Sequence, residues 1–158
     1  MKLNPINSVF KTLVNLIKGQ IHFTDSFNKI KVKMEDGQEF EIFRHVIIGK
    51  KEDLPLNGAI FIVRFKLSQM SMKKNKIFSR IPIPMFIGLP GFKAKFWMCN
   101  EDTGYNQGIY QWETLQDAEN YSKSFAVKFM TIRSEKNSIS YKIIENSNIY
   151  TIIDKLKT

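Results

Sequence analysis

The sequence has a single cysteine, Cys99, and only two histidines, His22 and His45, among its 158 residues. One thiol excludes an internal disulfide, and with no CxxC pair and no Cys/His ligand set there is nothing from which to build a structural zinc site. That usage suits a reducing compartment, so we expect a cytoplasmic protein. Long hydrophobic runs are also missing. Asn7, Ser8, Lys11, Thr12 and Asn15 interrupt the N-terminal apolar residues, which argues against a secretory signal, and no window reaches the length of a membrane span. The GxSxG, P-loop and GxGxxG patterns are absent, and Gly88-Leu89-Pro90-Gly91 is a turn rather than a phosphate cradle.

Acidic residues are missing from one long stretch. Between residues 59 and 100 stand Arg64, Lys66, Lys73, Lys74, Lys76, Arg80, Lys93 and Lys95 with no Asp or Glu, whereas residues 1–58 carry nine basic and seven acidic residues and 101–158 carry seven and eight. The net charge of +9 is therefore concentrated in the middle of the chain, where it sets up a positive field. What is present is a chain that folds: 43% of it is hydrophobic and 13% aromatic, enough to bury one core without cross-links.

Asn4-Pro5 predicts a capped helix start, after which Ile6, Val9, Phe10, Leu13, Leu16 and Ile17 recur at helical spacing up to Gly19. Residues 29–34 and 40–46 alternate with period two around Asp36-Gly37, a β-hairpin signal. The charges and breakers of residues 49–58 form a connector, so we divide the chain into an N-terminal helix and hairpin extension, 1–57, and a core, 58–158. Core strands are expected at 60–67, 92–99, 108–112 and 139–144. Ser71 caps one helix, which Pro82 and Pro84 must break, leaving carbonyls in need of partners. Thr114 caps a second, with Leu115, Ala118, Tyr121, Phe125, Phe129 and Ile132 on one face. A short terminal helix runs from Ser147 to about Lys155.

Strand, helix, strand, strand, helix, strand is the split βαβ pattern, so the fold class is α+β with a ferredoxin-like β-α-β-β-α-β core. Strict alternation puts Phe61, Val63, Phe65, Leu67, Phe92, Ala94, Phe96, Met98, Tyr110 and Trp112 under the helices. It leaves Arg64, Lys66, Lys93, Lys95, Trp97, Gln111, Glu113 and Lys142 on an open face. An aromatic-rich open face calls for a partner.

Pro90-Gly91-Phe92-Lys93-Ala94-Lys95-Phe96-Trp97, Thr103-Gly104, Gly108-Ile109-Tyr110-Gln111-Trp112-Glu113 and Asp117-Ala118-Glu119-Asn120-Tyr121 together carry a resemblance. They resemble an uncharacterised bacterial family of the dimeric α+β barrel superfamily, near the YdhR-type, antibiotic-biosynthesis-monooxygenase-like proteins, over about residues 58–146. Phe43-Arg44-His45-Val46 and Ile81-Pro82-Ile83-Pro84-Met85-Phe86 are similar to further segments of that family, which makes the N-terminal extension a family feature. The resemblance implies a homodimer whose sheets face each other, with a ligand cleft between each sheet and its helices. It implies little about chemistry, because the superfamily holds cofactor-independent oxygenases, haem-degrading enzymes, isomerases, dehydratases and stress-response proteins. The Asn, His and Trp set of the haem-degrading branch has no counterpart, since neither His lies in the core repeat.

We therefore expect a small-ligand-binding protein, in the manner of a cofactor-independent monooxygenase, acting on an aromatic or flat organic molecule and needing no cofactor or metal. Trp97, Tyr110, Trp112, Tyr121 and Met85 would shape the cleft, and Lys95 or Arg64 would stabilise an enolate or carboxylate. The alternative is a noncatalytic dimeric binding or stress-response protein. His45 is a secondary candidate, because Arg44 beside it favours neutral imidazole, but structural or surface roles outweigh metal binding or catalysis for both histidines. Cys99 reads as a small buried hydrophobe, and Glu113 as the ion-pair partner of Lys95 or Arg64. Nucleic acid is disfavoured, because the RNP1 pattern is missing from the strand that would hold it. A solvated face, an anionic small ligand or peripheral contact with an anionic membrane accounts for the basic block as well.

Overall fold

The computed structural model describes residues 4–158. In chain order its elements are α1 (Pro5–Ile17), β1 (Ile21–Phe23), β2 (Lys31–Lys33), β3 (Glu39–Ile48), β4 (Ala59–Lys66), α2 (Met72–Phe78), α3 (Ile83–Ile87), β5 (Phe92–Cys99), β6 (Tyr105–Trp112), α4 (Leu115–Ser122), α5 (Phe125–Arg133), β7 (Ser140–Ile144) and α6 (Ile149–Leu156). The helix starts follow their caps: the side chains of Asn4, Ser71, Thr114, Ser124 and Asn148 each accept a backbone N–H of the first turn.

All seven strands join one antiparallel sheet, in the order β1-β3-β5-β6-β4-β7 with β2 also paired to β3. Strands β7, β4, β6 and β5 are the ferredoxin-like core, with its helices in the two crossovers. The extension adds to the β5 edge through β3, so the strands of the extension and of the core share one sheet. That pairing supplies the long-range support an isolated hairpin lacks.

Two bulges overturn the strict alternation expected of the sheet. Phe92 pairs with Trp112 but Ala94 with Gln111, leaving Lys93 as the extra residue, and Phe43 is extra in β3 between the Ile42/Met98 and Arg44/Trp97 pairs. An extra residue shifts everything beyond it to the opposite face. Lys95 and Trp97, expected on the open face, lie under the helices among Phe61, Phe86, Tyr110 and Tyr121. Ala94, Phe96 and Met98 lie on the other side. Glu113 pairs with Lys93 at 2.5 Å and Arg64 with Asp36, so neither ion pair expected for Glu113 forms.

The expected open face is covered within the chain. Val32, Met34, Phe40 and Ile42 from β2 and β3 pack with Phe96, Met98, Ile109, Ile149, Tyr150 and Ile153 in a second core. Gln111, expected outside, is fully buried there; its Oε1 accepts the Ile149 N–H at 2.8 Å and its Nε2 donates to the Ser147 carbonyl at 3.1 Å, which fixes the start of α6. His45 is the polar centre of this core. Its Nε2 lies 2.9 Å from the Tyr150 hydroxyl and its Nδ1 3.0 Å from Thr24 Oγ1, with Phe27 and Phe96 against the ring.

The helix layer departs from the sequence pattern in one place. The expected long helix after Thr114 breaks at Lys123-Ser124, where Ser124 caps α5, so Phe129 and Ile132 at its far end are exposed rather than core. Pro82 and Pro84 break the other helix into α2 and α3 as anticipated; the Phe78 and Arg80 carbonyls that lose their partners to the prolines accept the Ile81 and Ile83 N–H instead, while the Pro84 and Met85 carbonyls at the end of the short α3 find their partners in α1. Ser8 Oγ donates to the Met85 carbonyl and Thr12 Oγ1 to the Pro84 carbonyl at 2.8 Å. Gly88 permits this approach, since a Cβ there would overlap the Ser8 carbonyl.

Two outcomes follow. Gly88→Ala should release α1, costing about 1–3 kcal/mol of stability and letting α1 unwind so that trypsin cleaves faster after Lys11, while the sheet amides keep their protection in hydrogen exchange. Burial lowers the His45 pKa from the usual 6.5 to about 4. Between those values the unfolded chain binds the extra proton, so stability is full above pH 6.5 and is lost as the pH falls towards 4, by up to about 3 kcal/mol. Urea titrations across that range should show the loss, and His45→Gln should flatten it.

Candidate functional site

The faces of β5 and β6 turned towards the helices present Lys95, Trp97, Gly108 and Tyr110. Phe86 of α3, Tyr121 of α4 and Met130 of α5 close over them around a cavity of about 100 Å³. One water needs roughly 10–15 Å³ on that measure, so the space holds several waters, or a small ring with modest side-chain movement. The lining is mainly apolar, and Phe78 and Phe129 at its edge are 41% and 49% exposed. Gly108 keeps the floor open: a Cβ there would crowd the Tyr110 ring and meet Lys95 Cε.

Lys95 is the chemical centre. Its Nζ stands 4.1 Å from the Trp97 ring centroid, 4.3 Å from Tyr110 and 4.4 Å from Phe86. Among the described residues no carboxylate pairs with it. Burial holds its pKa well below the usual amine range, and the Arg44 guanidinium pushes in the same direction. The ring faces favour the cation by about 2 kcal/mol where desolvated, against a burial penalty of several kcal/mol for an ammonium. The downward direction stands, reduced by the rings.

Arg44 stands behind the lining, its guanidinium 5.3 Å from the Trp97 ring and donating to Ser79 Oγ at 2.8 Å and the Lys76 carbonyl at 2.9 Å. Burial first, and Arg80 second, lower its pKa to about 10. Tyr110 and Tyr121 pack with ring centroids 5.0 Å apart. Burial raises both phenol pKa values, so their hydroxyls remain donors. The two hydroxyls hydrogen-bond each other, which leaves the pair one proton to offer. The cavity thus combines a desolvated amine, a phenol pair with one free donor and an arginine, Arg133, in its lining: it can take a proton from an acidic organic molecule and hold the resulting oxyanion.

Of the residues singled out from sequence, the cavity brings together Lys95, Trp97, Tyr110 and Tyr121. Trp112 stacks 4.8 Å from Tyr121 behind the lining. Met85 offers its carbonyl to Ser8 and does not line the cavity. Arg64 lies on the opposite sheet face, paired with Asp36 and Gln107 beside a more polar hollow of about 260 Å³, and His45 belongs to the second core. Cys99 is buried, with its thiol pKa raised by burial. Sequence reasoning missed Phe43, Phe86, Gly108 and Arg133 as cavity residues. Gly108 stands opposite Trp97 across β5 and β6, a pairing that no local signal gives.

Lys95→Met tests the environment. The unfolded lysine keeps its proton to about pH 10.4, whereas the buried one loses it earlier, so the unfolded state binds more protons below that pH and burial destabilises. The variant should be more stable than the parent at neutral pH by about 1–3 kcal/mol, the gain shrinking as the pH approaches 10, read from denaturant midpoints.

No family model matches the sequence, and no curated protein matches it. Among solved structures, an uncharacterised ferredoxin-fold protein from Listeria monocytogenes, related to antibiotic biosynthesis monooxygenases, superposes with a TM-score of 0.53 at 10% identity, covering 87% of this chain and 88% of its own. A monooxygenase-like protein from Listeria innocua gives a TM-score of 0.53 at 11% identity over 73% and 68%. At such identities the likeness concerns the fold alone: the chain has a ferredoxin-like α+β fold.

Proposed function

We propose that the protein binds a small, flat organic acid, a phenol or an enolisable carbonyl compound, in the cavity at Lys95, and acts on it as a cofactor-independent monooxygenase. The observation that carries this is the buried Lys95 amine, ringed by three aromatic faces and without a carboxylate. A neutral acid enters an apolar cavity cheaply, and on giving its proton to Lys95 it becomes an anion beside an ammonium that the rings stabilise. The free hydroxyl proton of the Tyr110 and Tyr121 pair and the charge of Arg133 favour the same anion. A carbanion or enolate formed in this way from an activated methylene can itself reduce dioxygen. The methylene carbon loses both hydrogens and gains one oxygen atom as a carbonyl, the other oxygen atom leaves with those hydrogens as water, and the substrate supplies all the electrons.

The sheet face expected to meet a second copy carries the second core. Among the described residues no helix is long and apolar enough to cross a membrane.

A nitrophenol reports proton transfer directly, because its anion is coloured. Held below its own pKa, it should turn to the anion's spectrum on adding the protein, and Lys95→Met should abolish the change. Oxygen uptake with an activated methylene compound, lost in the same variant, would establish the monooxygenase. The spectral change without oxygen uptake would leave the noncatalytic binding protein, and no spectral change would remove Lys95 as the base.

A further inference from the structure

Helix α1 is mounted inside out. Its polar residues Ser8 and Thr12 are 2% and 7% exposed, while Ile6, Phe10, Leu13 and Ile17 are 76%, 67%, 51% and 85% exposed. Steps of four, three and four residues place these four on one continuous stripe, opposite the hydroxyls that hold α1 to the Pro84 and Met85 carbonyls. The docking is specific, since Gly88 admits the Ser8 backbone and no larger residue would. The stripe is therefore presented outward by the same contacts that fix the helix. Ile77 and Ile81, on the broken helix that α1 caps, are also exposed, at 57% and 64%.

Charge selects the occupant. Lys11 and Lys18 on α1, and Lys73, Lys74 and Arg80 on and just after α2, are all exposed. No Asp or Glu occurs in residues 4–24 or 54–100, which supply α1, α2 and α3. An apolar stripe flanked by cations, with Glu101 against Lys76 the one acid that an ion pair places on these helices, fits a surface that is apolar within and anionic at its edge, which is the headgroup boundary of an anionic bilayer. A second copy suits the face poorly, because a symmetric contact would bring Lys11 and Lys18 of both chains together with no acid to answer them. At about 1.5 Å per residue the helix is too short to span, so it lies in the plane of the interface.

We propose that α1 is a membrane-docking helix that seats Ile6, Phe10, Leu13 and Ile17 among the acyl chains of an anionic bilayer while the neighbouring lysines meet its phosphates. This is independent of the cavity and of what it binds. The full chain should cosediment with phosphatidylglycerol-containing vesicles, bind pure phosphatidylcholine vesicles far less, and dissociate as salt is raised. Phe10→Ser/Ile17→Ser should weaken the partition about tenfold or more, and Lys11→Glu/Lys18→Glu by about tenfold. All four positions are exposed, so thermal melts should show both variants folded. Absence of binding to either vesicle, or binding that both variants retain, would overturn the proposal. So would light scattering that shows a stable dimer in the parent and a monomer in Phe10→Ser/Ile17→Ser, since the stripe would then be an interface between copies.

Discussion

The extra residue at Lys93 decides which half of β5 meets the helices, and the cavity depends on that choice. Without the bulge, Ala94, Phe96 and Met98 would lie under α3, α4 and α5 while Lys95 and Trp97 faced the other way. With it, the amine enters an aromatic enclosure between Tyr110 and Phe86. The matching extra residue at Phe43 sends Arg44 behind the lining of that enclosure and His45 to the opposite core. Bulges re-aim side chains at the modest expense of one unpaired residue, and here two of them separate a chemically loaded face from a structural one.

The structural face explains how the chain covers a sheet that its core crossovers cover on only one side. Strand β2, the hairpin end of β3 and α6 converge on it, and Gln111 and His45 tie α6 to the sheet through Ile149 and Tyr150. Burial raises the Tyr150 pKa to about 12, so its hydroxyl donates to a neutral His45, and Nδ1–H is left to donate to Thr24. Protonation of the imidazole removes that acceptor, which couples the packing of α6 to acid. The same fold in the two Listeria proteins sets the architecture; the chemistry rests on residues of this chain.

The helix layer follows from two prolines and a short helix. Pro82 and Pro84 separate α2 from α3, and α3 ends after five residues, leaving end carbonyls that must be satisfied; the hydroxyls of Ser8 and Thr12 satisfy those of Met85 and Pro84. A helix recruited for its polar face turns its apolar face outward. The exposed stripe of α1 is thus a consequence of how the end of α3 is capped.

Residue order alone determined most element types, because caps at Asn4, Ser71 and Thr114, the Asp36-Gly37 turn and period-two alternation are local signals with local causes, though it revealed neither β1 nor the Ser124 cap that separates α4 from α5. The split βαβ order and the proline break were legible for the same reason. Cavity residues were legible only as residue types: Lys95, Trp97, Tyr110 and Tyr121 stood out, but Trp112, Met85 and Arg64 stood out equally and lie elsewhere. Facing in a sheet accumulates along the strand, so one unpaired residue at Lys93 or Phe43 reverses every assignment beyond it, and nothing local marks where a bulge falls. Burial of the Lys95 amine, the inverted mounting of α1 and the covering of the second sheet face arise from segments far apart in sequence, and only the tertiary structure decided them.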